Sequence, residues 1–258
     1  MSNSRQLDAG ILVRSFGVTF SAKTLAPPRS ETWDQLVYAV RGALTVKAND
    51  GTWFVPPHRA VWLPSNTPYK LEMSGETALR MIYLRKARRA KAPAGFDPGR
   101  CAVVSVSPLL RELILRTVQI GALTAKSPHH CRLAGLIEDE IRTIGTVPLQ
   151  LPYPQSATAR RFAESLESEF GPLFDLDRAL RTSGSSRRTM ERAFGSETGM
   201  SLGQWVRRRK LLHGLERMLA GDTVAAVAFE LAYSTPSAFI AMFKRELGSS
   251  PGEYLAGD

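Results

Sequence analysis

SRRTMERAFGSETGMSLGQWVRRRK, residues 186–210, is the stretch that decides how this chain folds. Ser186 offers a hydroxyl to cap a helix, Met190 and Phe194 fall four apart on one face of it, and Gly199 can take the left-handed backbone that stops it. Ser201 and Gln204 then have capping-box spacing, with Met200 and Trp205 placed as the hydrophobic staple that fixes the entry of the next helix. Upstream, Asp175 caps a short helix through Thr182 and Gly184 turns the chain. Downstream, Leu212, Leu215 and Leu219 continue the stripe of Trp205 until Gly221. A short helix over Thr223–Leu231 follows, then the turn Ala232-Tyr233-Ser234. Thr235 caps a further helix with Pro236 at its first position, and that helix ends at Gly248. Ser250-Pro251-Gly252-Glu253 starts a last one. The pattern of helix, tight turn, helix therefore occurs twice, joined by one long helix.

A rod of that kind holds the second helix of each pair at a set separation. If the separation is near one turn of B-DNA, about 34 Å, both can enter successive major grooves. Duplex DNA is thus the expected partner. Net charge agrees in sign but not in place: of the formal +10, residues 1–153 carry +9 (20 basic, 11 acidic) and residues 154–258 only +1 (14 basic, 13 acidic). The motifs, not the total, put the DNA-binding surface in the second part. There, residues 185–210 hold seven basic groups against Glu191 and Glu197.

From Gly10 to about Arg85 the texture is different. Runs of period two, Leu36-Val37-Tyr38-Ala39-Val40 and Ala43-Leu44-Thr45-Val46, are broken by Arg41-Gly42, by Asn49-Asp50-Gly51 and by Pro56, Pro57 and Pro64. These predict short strands closed into a small β-barrel. Arg85–Gly95 reads as a basic linker leaving it. Beyond Ser107, Leu109, Leu113 and Ile120, with Leu110, Ile114 and Val118, mark one amphipathic helix, and Leu133, Ile137, Ile141 and Ile144 mark another. Two such stripes need covering, by the barrel or by another subunit. Their width predicts a homodimer through this region. Pro148, Pro152 and Pro154 mark a boundary. The fold expected is α+β: a barrel over 1–92, a helical linker and dimerisation region over 93–153, and an all-α domain of two helix-turn-helix units over 154–258.

Other classes find less support. No apolar run reaches the roughly 20 residues that span a bilayer, and Met1–Gly10 lacks the pattern of a secretory signal, so no membrane partner and a cytoplasmic location are expected. Cys101 and Cys131 are read as buried free thiols. His58, His129, His130 and His213 are scattered, and no Ser-His-Asp order, phosphate-binding glycine loop or CxxC occurs. No enzymatic activity is expected.

Ser186–Phe194, Glu197–Trp205, Ala232–Lys244 and Gly248–Pro251 together resemble the DNA-binding part of the AraC/XylS family of transcription regulators over about 100 residues. The resemblance implies that Arg188, Glu191 and Arg192 face bases from the first reading helix. Their chemistry fits, since arginine can pair with guanine O6 and N7 and glutamate can accept from cytosine N4. The matching positions of the second reading helix are Pro236, Ser237, Ile240 and Ala241, suited to thymine methyls and phosphates. Arg187, Arg207, Arg208 and Lys244 complete the candidate DNA-binding set. Met190, Phe194, Phe239 and Phe243 are read as core. One departure is Ala232, where the family usually has glycine. If the chain is an activator, RNA polymerase is a further partner.

Arg29–Tyr38, with Gly42, Gly51-Thr52-Trp53, Val55-Pro56-Pro57 and Ala60–Pro64, looks like the cupin-type sensor domain of one AraC subfamily. The cupin metal-ligand positions read Arg29, Glu31, Gln35 and Tyr69. An arginine cannot ligate a cation, so no metal and no cofactor is expected. Arg29, Glu31, Trp33 and Gln35 have the same parity and would share a face with Tyr69 nearby. Such a set suits a small organic effector bearing a carboxylate or a ring. An interior simply filled by side chains, with Arg29 paired to Glu31 or Asp34, stays open. So do two other functions: a constitutive DNA-binding regulator whose barrel only dimerises, and a cupin enzyme fused to a DNA-binding domain.

Overall fold

The computed structural model describes residues 10–27, 30–48, 50–85, 97–168 and 174–256. It divides into two compact units, Met1–Val46 with Val55–Val147, and Lys47–Phe54 with Pro148–Asp258.

In the first unit β1 (Ile11–Phe20), β3 (Trp33–Arg41), β6 (Arg59–Leu63), β8 (Thr77–Arg85), β9 (Ala102–Ser105) and β10 (Ala122–Thr124) form a six-stranded antiparallel sheet in the order β10-β1-β8-β3-β6-β9. β2 (Lys23–Leu25) pairs with β7 (Tyr69–Met73), and β4 (Leu44–Ala48) runs to the unit's edge at Val46; β5 (Gly51–Val55) and β11 (Gln150–Pro152) pair with each other in the second unit. The central strand β3 is buried on both faces from Trp33 to Ala39. Its even-numbered residues, Leu36 and Tyr38, join a core with Ile82, Leu84 and Val13, while Gln35 points the other way and meets Tyr69 of β7. Alternation thus sorts side chains between two buried layers rather than between core and water. Gly42 turns β3 into β4 at φ +73°, where a Cβ would lie 2.4 Å from the Glu76 carbonyl oxygen.

Two helices cover the outer layer. α1 (Pro108–Ile120) starts at Ser107, whose Oγ accepts from the Leu110 N–H, and α2 (Pro128–Arg142) starts in the same way at Ser127. α1 ends at Gly121 with φ +86°, and Ser15 of β1 donates to the Thr117 and Gly121 carbonyls, satisfying groups the helix end leaves unpaired. Leu110, Leu113 and Ile114 of α1, and Ala134 and Ile137 of α2, pack on Leu36, Tyr38, Ile82 and Leu84. Each such burial contributes roughly 1.5–3 kcal/mol. The stripes expected to meet a second copy are therefore covered by the chain's own sheet: Leu113 is 6% exposed and Ile137 0%. The apolar groups left outside are Leu109 and Leu136, at 50% and 45%.

The stretch 93–153, expected as a region of its own, is shared out. β9 and β10 pair with β6 and β1, and residues up to Val147 cluster with the strands, while Pro148 onward clusters with the helices that follow. The reason is strand pairing: Val103 and Val104 are as buried as any barrel residue. Cys101 is buried as expected, but Cys131 is exposed on α2.

The second unit holds β11, antiparallel to β5, and the helices α3 (Ala157–Ser168), α4 (Leu176–Thr182), α5 (Arg187–Thr198), α6 (Leu202–Leu219), α7 (Val224–Glu230), α8 (Pro236–Leu247) and α9 (Pro251–Ala256). Asp175, Ser186, Thr223 and Thr235 cap their helices as the sequence predicts, and Ser201 with Gln204 closes the capping box. α3 is an addition. Its Phe162 stands edge-on to Phe194, which stands edge-on to Trp205, making one aromatic core. A second joins Tyr233, Phe239, Phe243 and Tyr254. Between them runs α6, 18 residues and so about 27 Å long. Gly214 lets α8 approach it, since a Cβ there would meet Phe239 at 3.0 Å.

Candidate nucleic-acid interface

α4 and α5 form the first helix-turn-helix unit. Met190 and Phe194 are buried, and Arg188, Arg192 and Ser196 share the exposed face of α5. Arg188 and Arg192 form no ion pair with the described residues. Their neighbours are engaged. Arg187 reaches Asp177 of α4 at 3.1 Å and lies 4.0 Å from Glu191. Glu191 accepts from the backbone N–H of Leu202 at 3.1 Å, occupying one of the unpaired donors at the start of α6. Of the three residues expected to face bases, Arg188 and Arg192 present exposed guanidinium groups. Glu191 instead ties α5 to α6. Another carboxylate works similarly: Glu197 accepts from the N–H groups of Gln155 and Ser156, just ahead of α3, and these bonds, Ser156 first, hold its carboxyl below the ordinary glutamate range.

α7 and α8 form the second unit. Ser237, Ala241 and Lys244 are exposed on α8, while Pro236 and Ile240 are half-buried; Arg245, absent from the expected set, is exposed beside Lys244. The run 207–210 divides. Arg207 is exposed. Arg208 donates to the Pro148 carbonyl at 2.7 Å and lies 3.9 Å from Glu246, and Arg209 lies 3.5 Å from Glu216. Lys210 donates to the Leu231 carbonyl at 2.9 Å, over the ring of Tyr233. Burial lowers the pKa of both Arg208 and Lys210. Three of the four charges are turned into the helical unit, Arg208 of the expected DNA-binding set among them. Exposed cations of this surface include Arg187, Arg188, Arg192, Arg207, Lys244 and Arg245.

In the first unit, Gln35 and Tyr69 come together as expected: the Tyr69 hydroxyl donates to the Gln35 side-chain oxygen at 2.5 Å, and burial raises the Tyr69 pKa strongly. Trp33 is buried, with the guanidinium groups of Arg14 and Arg85 over its ring at 5.2 and 5.1 Å. Across the sheet Phe16, 47% exposed, stacks on Tyr83. Glu31 does not join them. It is exposed in the bend before β3, because the strand begins at Trp33 and the parity rule does not extend to 31. Arg29 lies outside the described residues. Arg14, Phe16, Tyr83 and Arg85 were missed by the sequence reading. The signal available was register, since Arg14 pairs with Tyr83 and Tyr83 with Gln35.

Residues 25–130 match the AraC-like ligand binding domain, and residues 180–257 match a helix-turn-helix domain. The HTH-type transcriptional regulator NimR of Escherichia coli is 30% identical over 234 residues, 90% of this chain and 82% of its own. The chain belongs to the AraC family. This AraC-type DNA-binding regulator is also similar to the regulatory protein SoxS of Salmonella typhimurium, 26% identical over 92 residues, 35% of this chain and 86% of SoxS. Among solved structures, ToxT from Vibrio cholerae with an unsaturated fatty acid bound aligns over 95% of both chains at 10% identity and a TM-score of 0.38.

Within the AraC-family pattern the departure at Ala232 has a measurable consequence. Its φ is +58°, the left-handed region that glycine enters without strain and alanine does not. The turn keeps its winding because Ala232 N–H bonds Phe229 O and Tyr233 N–H bonds Ala228 O. In this AraC-family chain no helix among the described residues is long and apolar enough to cross a membrane.

Proposed function

We propose that this regulator reads duplex DNA mainly through Arg188 and Arg192 of α5, with Ser237, Ile240 and Ala241 of α8 meeting thymine methyls and phosphates beside Pro236. Arg207, Lys244 and Arg245 supply phosphate contacts, and Arg187 and Glu191 set the angle of α5. The observation that carries the reading is the pair of exposed arginines, without an ion pair among the described residues, on the outer face of a capped helix whose other face is fixed in the core. Two guanidinium groups four residues apart match adjacent guanine edges. The test is binding of the full chain to duplexes enriched from a random pool, followed as salt is raised. The logarithm of the affinity should fall linearly with the logarithm of salt concentration, with a slope of about 0.9 for each phosphate the protein neutralises. A folded chain that enriches no sequence at low salt contradicts the reading.

The effector proposal rests on Trp33, Gln35 and Tyr69, with Arg14, Arg85, Phe16 and Tyr83 added: stacked rings and two cations suit a small planar organic anion. Titration with benzoate and with a neutral heteroaromatic, read by tryptophan fluorescence in the parent and in Trp33→Phe, separates the charge requirement from the ring. Glu31 has no part in this site. A cytoplasmic homodimer acting without catalysis completes the proposal, with contact to RNA polymerase where it activates. The apolar surface for a second copy is then the outer face bearing Leu109 and Leu136. Sedimentation of Leu109→Asp with Leu136→Asp tests it, and dimers that persist would exclude that face.

A further inference from the structure

Within the basic run 207–210, Arg208 reaches in two directions inside the helical unit. One arm of its guanidinium donates to the carbonyl of Pro148, 60 residues earlier in the chain, at 2.7 Å. The other lies 3.9 Å from the Glu246 carboxylate, in the second half of α8. Both side chains are largely shielded, Arg208 at 19% and Glu246 at 26% exposure. One turn earlier on α6, the indole N–H of Trp205 donates to the Pro152 carbonyl at 2.8 Å. Two positions one turn apart on α6 thus hold both ends of the segment 148–152.

That segment is not a loose tether. Its β11 pairs with β5 at Leu151 and Thr52, Phe54 N–H bonds the Leu149 carbonyl, and the Tyr153 hydroxyl bonds Thr52 Oγ1 at 2.7 Å. The second unit takes in Lys47–Phe54 and then the chain from Pro148 onward, so Pro148 is the first residue of its longer segment. Any change in the path by which the chain enters the helical unit is therefore felt first at Pro148.

We propose that Arg208 is a positioning residue that couples the entry segment 148–152 to the seat of the second reading helix. The guanidinium is a rigid planar fork, so its two arms cannot follow partners that move apart. If the Pro148 carbonyl shifts by an ångström, the fork must tilt away from one partner or drag the other. A tilt toward Pro148 releases Glu246 and loosens the half of α8 that bears Lys244 and Arg245. Neither partner of Arg208 lies on α5, whose ties run instead through Glu191 to Leu202, Arg187 to Asp177 and Phe194 to Trp205. The inference rests on the proposal that α8 meets DNA only for its consequence, not for the coupling itself.

The experiment uses the full chain and three variants, Arg208→Ala, Arg208→Lys and Glu246→Gln, first checked for the parent's cooperative thermal transition. Amide hydrogen exchange without DNA decides the coupling. Glu246→Gln, which alters only α8, should raise exchange severalfold at Leu149 and Leu151 as well as in α8, while α5 stays as in the parent. Arg208→Lys should do the same, since one ammonium cannot serve both partners. Unchanged exchange at 149–151 in Glu246→Gln overturns the proposal, as does an even rise across the whole unit. DNA binding gives the consequence. Arg208→Ala should lose about tenfold in affinity, the effect of one charge-assisted hydrogen bond, with protection weakened over the DNA segment read by α8 and kept over that read by α5. Its salt slope should match the parent's. A slope smaller by about one means that Arg208 reaches a phosphate and the coupling role is wrong. Failure of the parent to bind DNA would count against the proposed function, while the exchange result would still decide the coupling.

Discussion

The carboxylate of Glu191, on α5, accepts the backbone N–H of Leu202, the first residue of α6, at 3.1 Å. This bond ties α5 to α6, alongside the packing of Phe194 on Trp205, and fills a donor that the start of α6 cannot satisfy itself. Glu191→Ala should cost roughly 1–3 kcal/mol of stability, the penalty for a charge-assisted bond removed. It should leave the base preference of the bound site unchanged. Denaturant titration and a binding selection measure the two separately, and an altered base preference without loss of stability would return Glu191 to the groove.

Ala232→Gly should stabilise the chain. Alanine in the left-handed region costs roughly 1–2 kcal/mol, part of which glycine returns through the greater freedom of its unfolded state. A net gain of about 0.5–1 kcal/mol is expected. A midpoint that falls in Ala232→Gly would mean that the turn 231–234 carries no strain.

Acid should unfold the helical unit in part through Glu197. Its carboxyl is held below the ordinary range by the N–H groups of Ser156 and Gln155, so the stability it contributes is fully present above the unfolded glutamate pKa and is lost as pH falls through the lower folded value. Glu197→Gln should flatten the acid limb of stability against pH while lowering the plateau. A parallel limb in the variant would show that Glu197 is not linked to folding.

Leu113→Asp and Ile137→Asp should unfold the first unit rather than separate subunits. Both side chains lie against the chain's own sheet, where an unpaired carboxylate costs several kcal/mol. Circular dichroism melts distinguish this from a folded monomer. A well-folded monomeric Leu113→Asp would instead place α1 in a subunit interface.

What the sequence made legible was what it encodes locally. Asp175, Ser186, Ser201, Thr223 and Thr235 each cap the helix that follows within three residues, and those helices stand where the caps put them. α3 escaped although Ser156 stands just before it and Phe162 and Leu166 carry the helical spacing; the carboxylate that fixes the approach to it, Glu197, lies some 40 residues on. The partners of Arg208 and Lys210 were not legible because Pro148, Glu246 and Leu231 are all distant in sequence. Strand parity was sound from Trp33 onward and failed at Glu31, two residues before β3 begins. The amphipathic stripes of α1 and α2 were correctly found; what covers them depends on the sheet, which periodicity does not specify.

A binding selection over randomised duplexes with the full chain, Arg188→Ala, Arg192→Ala and Arg207→Ala tests the sequence-reading role of α5 most directly. The two reading-helix variants should each lose preference at one base position, by roughly 1–3 kcal/mol, and keep the others. Arg207→Ala should weaken every sequence alike and lower the salt slope by about one. Uniform weakening in all three, with every base preference kept, would contradict the assignment of α5 as the helix that reads sequence.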